Sequence, residues 1–234
     1  METVLDLGEL SVDVVRKDIK NMHLSVHPPT GRVRIAAPER ASLDTIRAFA
    51  VAHLVWIRRN QRKINMQERE PPREYVDRES HFVWGERFLL NVIEREGAAA
   101  VLARHRTLVL QVRAGATVAE RQRVVDGWYR DELRRAAGPL IAKWEKHLKV
   151  TARQLFVQRM KTRWGSCNPL TGNIRLNTEL AKKPPECLEY IILHELTHLL
   201  QSTHTPAFYG ILDEAMPHWR EVRRRLNMLP LANI

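Results

Sequence analysis

His194-Glu195-Leu196-Thr197-His198, followed by His204, is the stretch on which the reading of this chain turns. Two histidines at i and i+4 lie on the same face of a helix, one turn apart, so their imidazoles can converge on one metal ion. Glu195 stands next to the first of them and can reach a water held by that metal. The H-E-x-x-H pattern is the arrangement of a zinc hydrolase, with two ligands and a general base.

The flanking residues predict the helix. Pro184 and Pro185 precede it, and proline suits a first helical position because its missing N–H has no helical partner there. Glu186 and Glu189 fall in the first turns, where the helix dipole favours negative charge. Leu188, Ile191, Ile192, Leu196, Leu199 and Leu200 place apolar residues at helical spacing. The histidines are therefore expected on a buried helix.

A catalytic zinc takes a third protein ligand and keeps one position open. His204 has the spacing of the last histidine in H-E-x-x-H-x-x-G-x-x-H, but Gln201 stands where that pattern has glycine. Glu214 is the rival ligand, as in sites built from two histidines and a glutamate. Spacing favours His204, and Pro206 soon after it marks a break in the helix. One zinc ion per protein molecule is expected. Glu214 and Asp213 otherwise read as a solvated face or as hydrogen-bond partners to a ligand histidine.

The surrounding residues carry a wider resemblance. The run Lys161-Thr162-Arg163-Trp164-Gly165-Ser166-Cys167 comes first, then Asn173-Ile174-Arg175-Leu176-Asn177 and Leu180. Ile191 through His198, His204 through Phe208, and Met216-Pro217-His218-Trp219 follow. This pattern resembles the YgjP-like family of zinc metallopeptidases, zincins related to SprT-like proteases, most strongly over residues 153–226. The resemblance implies His194, His198 and His204 as metal ligands and Glu195 as general base. It also implies a protein or peptide substrate.

The fold class expected is α+β. A β-rich N-terminal region, residues 1–115 with one long helix, precedes a zincin-like metallopeptidase domain, residues 116–234. That domain is expected to hold a small antiparallel sheet and the buried H-E-x-x-H helix. Residues 3–17 and 22–37 alternate apolar and polar, and Pro28-Pro29-Thr30-Gly31 marks a hairpin turn. Ser42 caps a helix running to about Ile64, with His53 as a packed core residue. A polar linker covers 66–74, and strands follow over 81–95 and 100–113, with Gly85 at a turn. Helix resumes near Thr117 and runs to about Leu148, broken or kinked at Gly138-Pro139. Strands over 153–160 and 172–177 lead to the metal helix, and two further helices complete the domain. No internal repeat stands out in the sequence.

In zincins a strand before the metal helix borders the cleft and pairs with extended peptide. Asn173–Asn177 is the candidate for that edge, which makes Asn173 and Arg175 candidate substrate-binding residues. Arg163 and Trp164 are the other two, with a structural cation–π pair as the competing reading. Arg163 and His218 are candidate donors to an oxyanion. Cys167 reads first as a small packed residue, with a metal-proximal or redox role as the alternative, and Cys187 reads as packing.

Across 234 residues, 38 Lys and Arg against 27 Asp and Glu give a formal charge of +11. Such a balance attracts polyanions. The basic residues fall in short clusters such as Arg58-Arg59, Arg134-Arg135 and Arg223-Arg224-Arg225, which read first as solvated helix faces. Nucleotide or nucleic-acid contact through this basic surface is open, but no zinc-finger, RNA-recognition or bZIP signature places it. Hydrophobic residues make up 44%, which argues against disorder. No apolar run suggests a membrane span, no signal peptide is expected, and two cysteines suit a reducing cytoplasm.

Three functions follow. The first is a zinc metallopeptidase with Glu195 moving the proton. The second is a metal-dependent phosphoanhydride hydrolase acting on nucleoside triphosphates, a pyrophosphatase type that the charge would suit but no Gly-rich phosphate loop supports. The third is a binding module in which zinc only holds the fold. A purely structural site has no use for a base at Glu195.

Overall fold

The computed structural model describes residues 2–27, 30–66 and 72–229. They form two compact units that divide between Pro71 and Pro72.

The first unit is a four-stranded sheet with two helices. Its strands are β1 (Glu2–Asp6), β2 (Ser11–Lys17), β3 (His23–His27) and β4 (Arg32–Pro38), in the order β1-β2-β4-β3. Alternation buries Val12 and Val14 on β2 and Val33, Ile35 and Ala37 on β4. These pack with Ile46, Ala50 and Ile57 from the helices. The β3–β4 hairpin forms as expected, with Gly31 at φ +72°, while Pro28 and Pro29 lie outside the described residues. Ser42 caps α1 (Leu43–Ala52) by accepting from the Thr45 N–H at 3.1 Å. The one helix expected from Ser42 to Ile64 is two, because His53 breaks it. Its N–H bonds to the Ala50 carbonyl and its ring Nδ1 lies 2.8 Å from the Phe49 carbonyl, and α2 (Leu54–Met66) starts afresh. Much of the expected linker, 67–71, lies outside the described residues.

The second unit opens on β5 (Ser80–Val83), β6 (Glu86–Glu94), β7 (Ala100–Arg104) and β8 (Thr107–Val112), in the order β5-β6-β8-β7. Two-residue turns at Trp84-Gly85 and His105-Arg106 carry positive φ at both positions, the geometry that suits the twist of a hairpin. Each four-stranded sheet has antiparallel outer pairs around a parallel central pair. The protein therefore repeats a topology that its sequence does not repeat.

Next comes α3 (Val118–Leu148), with Thr117 and Glu120 in a reciprocal capping box and Lys149 in the left-handed region at its end. The helix continues through Pro139 rather than breaking there. Val125, Tyr129 and Leu133 of α3 share one core with Leu90, Leu108 and Leu110 of the sheet. The boundary expected at 115/116 thus falls within this unit, between a sheet and the helix that covers it.

Three short strands precede the H-E-x-x-H helix: β9 (Gln154–Gln158), β10 (Gly165–Asn168) and β11 (Asn173–Asn177). The fold class is α+β, but this sheet is mixed, not antiparallel throughout. β11 lies centrally, antiparallel to β10 and parallel to β9. A short 3-10 helix (Thr178–Lys182) leads into α4 (Pro185–Thr197), and α5 (Pro206–Ala215) and α6 (Trp219–Met228) complete the unit. Pro185 opens α4 as expected, and Leu188, Ile191, Ile192, Leu193 and Leu196 are buried along it. Among the described residues no helix is long and apolar enough to cross a membrane.

Candidate metal centre and cleft

His194 sits in the last turn of α4, and His198 caps that helix while still in right-handed helical conformation. The i, i+4 relation therefore survives to the helix end. Thr197 then accepts backbone N–H bonds from Leu200 and Gln201, at 3.0 and 2.9 Å, and the backbone turns away. Gln201 is not among the residues with positive φ, so this turn works without the glycine of the longer pattern. Thr205 caps α5 through the Phe208 N–H, with Pro206 behind it, and this start holds His204 back over α4.

The three histidines meet. One ring nitrogen or more from each of His194, His198 and His204 lies within 4.8 Å of the others. His204 Nε2 is 3.1 Å from His194 Nε2. Nitrogens bound about 2.0–2.1 Å from one tetrahedral zinc stand roughly 3.3 Å apart, so the spacing fits a shared ion. Burial first, then His198 and His204, pull the pKa of His194 down to about 3, which keeps its ring in the neutral form a metal needs. Burial also lowers His198, whose Nδ1 lies 3.2 Å from the Gln201 carbonyl and leaves Nε2 for the centre. His194 Nδ1 is buried without a hydrogen-bond partner. That ring is held by packing against Tyr190 and Phe208 instead. Phe208, fully buried, lies with its ring centroid 4.7–5.0 Å from all three imidazoles and forms their floor. Glu214 is exposed on α5 and does not belong to the cluster.

Glu195 is 5% exposed, and burial pushes its carboxyl up to about 8, against the opposing pull of Arg163 and of the Cys167 backbone N–H. The strand beside it is β10. Gly165 lies so close that a Cβ there would sit 2.6 Å from Glu195 Oε1 and 2.9 Å from Ile191 Cγ2. This close approach is why the R-W-G-S-C element needs its glycine.

Among the described residues β10 pairs only with β11, so its other side is the open edge, and Gly165, Ser166 and Cys167 line the cleft. That corrects the expectation for Asn173–Asn177. β11 is hydrogen-bonded on both sides, which leaves no edge for a peptide. Arg175 stacks over Phe156 at 5.4 Å, Asn173 Oδ1 is buried without a partner, and neither residue lines the cleft. Arg163 and Trp164 do line it, and no cation–π contact joins them. His218 caps α6 outside the cleft. Cys187 is fully buried. Cys167 is half-buried at the cleft wall, where burial raises its thiol to about 11, well away from a reactive thiolate.

The cleft encloses about 540 Å³ between β10 and α6. Its far wall carries Tyr190 and Tyr209, backed by Trp219 in an aromatic stack that the sequence does not announce. Trp219 lies parallel to Tyr190 and to Tyr209, with centroids 6.0 and 5.6 Å apart. Asn177 reads in the sequence only as part of a strand, yet its side chain pins the preceding loop. Nδ2 donates to the Met160 and Arg163 carbonyls at 2.9 and 2.8 Å. This bond set positions Arg163 and Trp164, and a polar residue at a strand end is its only sequence signal.

Three histidines and a buried carboxylate thus stand together beside an open strand edge, and the family the chain matches is one of metallopeptidases. The chain belongs to the YgjP-like family: the family model described as "YgjP-like, metallopeptidase domain" matches residues 20–229. No curated protein matches it. Among solved structures it is similar to the metallopeptidase zymogen abylysin of Pyrococcus abyssi, at 21% identity and a TM-score of 0.36. That match covers 38% of this chain and 90% of the other. The zymogen of jannalysin from Methanocaldococcus jannaschii gives 23% identity and a TM-score of 0.36, covering 38% of this chain and 92% of the other.

Proposed function

We propose that this metallopeptidase is zinc-dependent, with His194, His198 and His204 as the ligands and Glu195 as the general base. The observation that carries the reading is the convergence of three imidazole nitrogens within 4.8 Å beside a buried carboxylate. When bound, zinc supplies Lewis acidity toward water and toward a scissile carbonyl.

Glu195 takes the proton of the attacking water and later delivers it to the leaving amine. The Cys167 N–H and the flank of Gly165 hold its carboxylate in place. The free edge of β10 pairs with an extended substrate backbone, which accepts many sequences. Arg163 at the cleft is the candidate donor to the developing oxyanion. Two free thiols, Cys167 and Cys187, support a reducing compartment such as the cytoplasm. Arg134 and Arg135 pair with Asp131 and Glu132 on their own helix, which removes one of the three basic clusters as a nucleic-acid contact.

The test is one incubation of the zinc-loaded protein with an unfolded protein and nucleoside triphosphates, read by mass spectrometry, with Glu195→Gln as the blank. New peptide termini absent from the blank are expected. Nucleotide products with intact protein would move the same residues to phosphoanhydride hydrolysis. Zinc is expected to remain in Glu195→Gln, and its loss would make Glu195 structural.

A further inference from the structure

The charges that face this cleft are lopsided. Glu195 is the one carboxylate among its described lining residues, and it is buried. Two guanidinium groups stand against it: Arg163, from the loop before β10, and Arg223, from α6. Neither has a carboxylate within ion-pairing distance among the described residues.

The contrast within α6 is informative. Arg220 pairs with Asp213 and Arg225 with Glu186, and Arg224 does not line this cleft, so Arg223 is the one arginine of that helix that borders it. Arg223 is four residues after Trp219, on the side of the helix that carries the aromatic stack, and it borders the cleft with Leu226. Arg163 borders the cleft from the opposite wall. A cleft walled by low-dielectric aromatic surface focuses such charge inward. A guanidinium fork left without a protein carboxylate is suited to accept one from a ligand.

We propose that Arg163 and Arg223 make this cleft selective for peptides that carry carboxylates beside the bond to be cut. The inference deepens the peptidase reading and rests on it. The carboxylate comes from an Asp or Glu side group or from the free C-terminus of a short peptide, which present the same chemistry to an arginine.

The test is calorimetric binding to the zinc-loaded full-length protein bearing Glu195→Gln. The probes are a decapeptide with Glu on both sides of its centre and its Gln counterpart, each with a free and an amidated C-terminus. The Glu peptide should bind about five- to tenfold more tightly, with the gap shrinking as salt rises. Arg223→Gln and Arg163→Gln should each narrow the gap, and Arg223→Glu should shift preference toward a Lys counterpart. A Glu–Gln gap that survives amidation assigns the side group, and an affinity loss on amidation shared by both peptides assigns the terminal carboxylate. Equal affinity of all four peptides, or no binding of any, overturns the proposal. So does tight, Arg223-dependent binding of a nucleoside triphosphate without a Glu–Gln gap. Cleavage by the unsubstituted protein is scored separately. Failure of the peptidase reading would therefore show as selective binding without new termini.

Discussion

Gly165 and Glu195 touch across the cleft floor: a single methyl group on Gly165 would lie 2.6 Å from Glu195 Oε1 and 2.9 Å from its Cγ. No ordinary contact is that short, so either the strand or the carboxylate must move. Gly165→Ala is therefore expected to lower kcat/KM by on the order of a hundredfold, because a base displaced by about 1 Å no longer lines up with its proton. Overpacking should also cost about 1–3 kcal/mol of stability. Zinc content should be unchanged, since the histidines are not in this contact. Full activity in Gly165→Ala would show that β10 can withdraw freely and that its proximity to Glu195 is incidental.

The third-ligand question separates two substitutions. His204 Nε2 is 3.1 Å from His194 Nε2, whereas Glu214 is exposed on α5 and outside the histidine cluster. His204→Ala should weaken zinc by on the order of a hundredfold or more in chelator competition, while Glu214→Ala should leave affinity unchanged. The reverse order would restore the two-histidine, one-glutamate arrangement.

What the sequence makes legible is the part written locally. The spacing of His194, His198 and His204 is a helix period plus one reversal of direction, and the apolar run from Leu188 to Leu196 declares a buried helix without help from tertiary structure. Strand order is illegible for the opposite reason. Nothing in Asn173–Asn177 says that β9 will pair on one side of it while β10 takes the other. A parallel neighbour arrives by crossover, so the edge passes to Gly165–Asn168. The matching topology of the two four-stranded sheets is equally non-local and leaves no shared residues to find. Trp219 and Tyr209 read as stripe residues on separate helices, and only packing shows that they stack.

Acid should act on the start of α3. Arg113, at 2.7 Å, and then the backbone N–H and hydroxyl of Thr117 hold Glu120 down to about 2 from its usual 4.5. In the unfolded state that carboxyl takes a proton at higher pH than in the fold. The unfolded state therefore binds more protons as pH falls from 4.5 toward 2, and the contribution, fully present above 4.5, is lost across that window. In metal-free protein, denaturant midpoints should place Glu120→Gln below the unsubstituted protein above about pH 5, with the two converging near about pH 2. A gap that stays constant with pH would mean that Glu120 stabilises the helix by packing rather than by charge.

The far wall of the cleft depends on Trp219. It is 3% exposed, stacks against Tyr190 and Tyr209, and donates its indole N–H to Asp213 at 2.8 Å. Truncation to Ala removes the middle of a three-ring stack and should cost about 3–5 kcal/mol. Trp219→Phe keeps a ring between the tyrosines but loses the bond to Asp213. It should cost roughly 1–2 kcal/mol, from one hydrogen bond and some lost volume. The functional consequence differs from that of Gly165→Ala. Phe in place of Trp219 leaves Glu195 and the histidines where they are, so the change should fall on KM through a looser α6 wall, with kcat little altered. A fall in kcat at unchanged KM would place Trp219 in control of the histidine centre itself, through the Tyr190 ring that packs on His194.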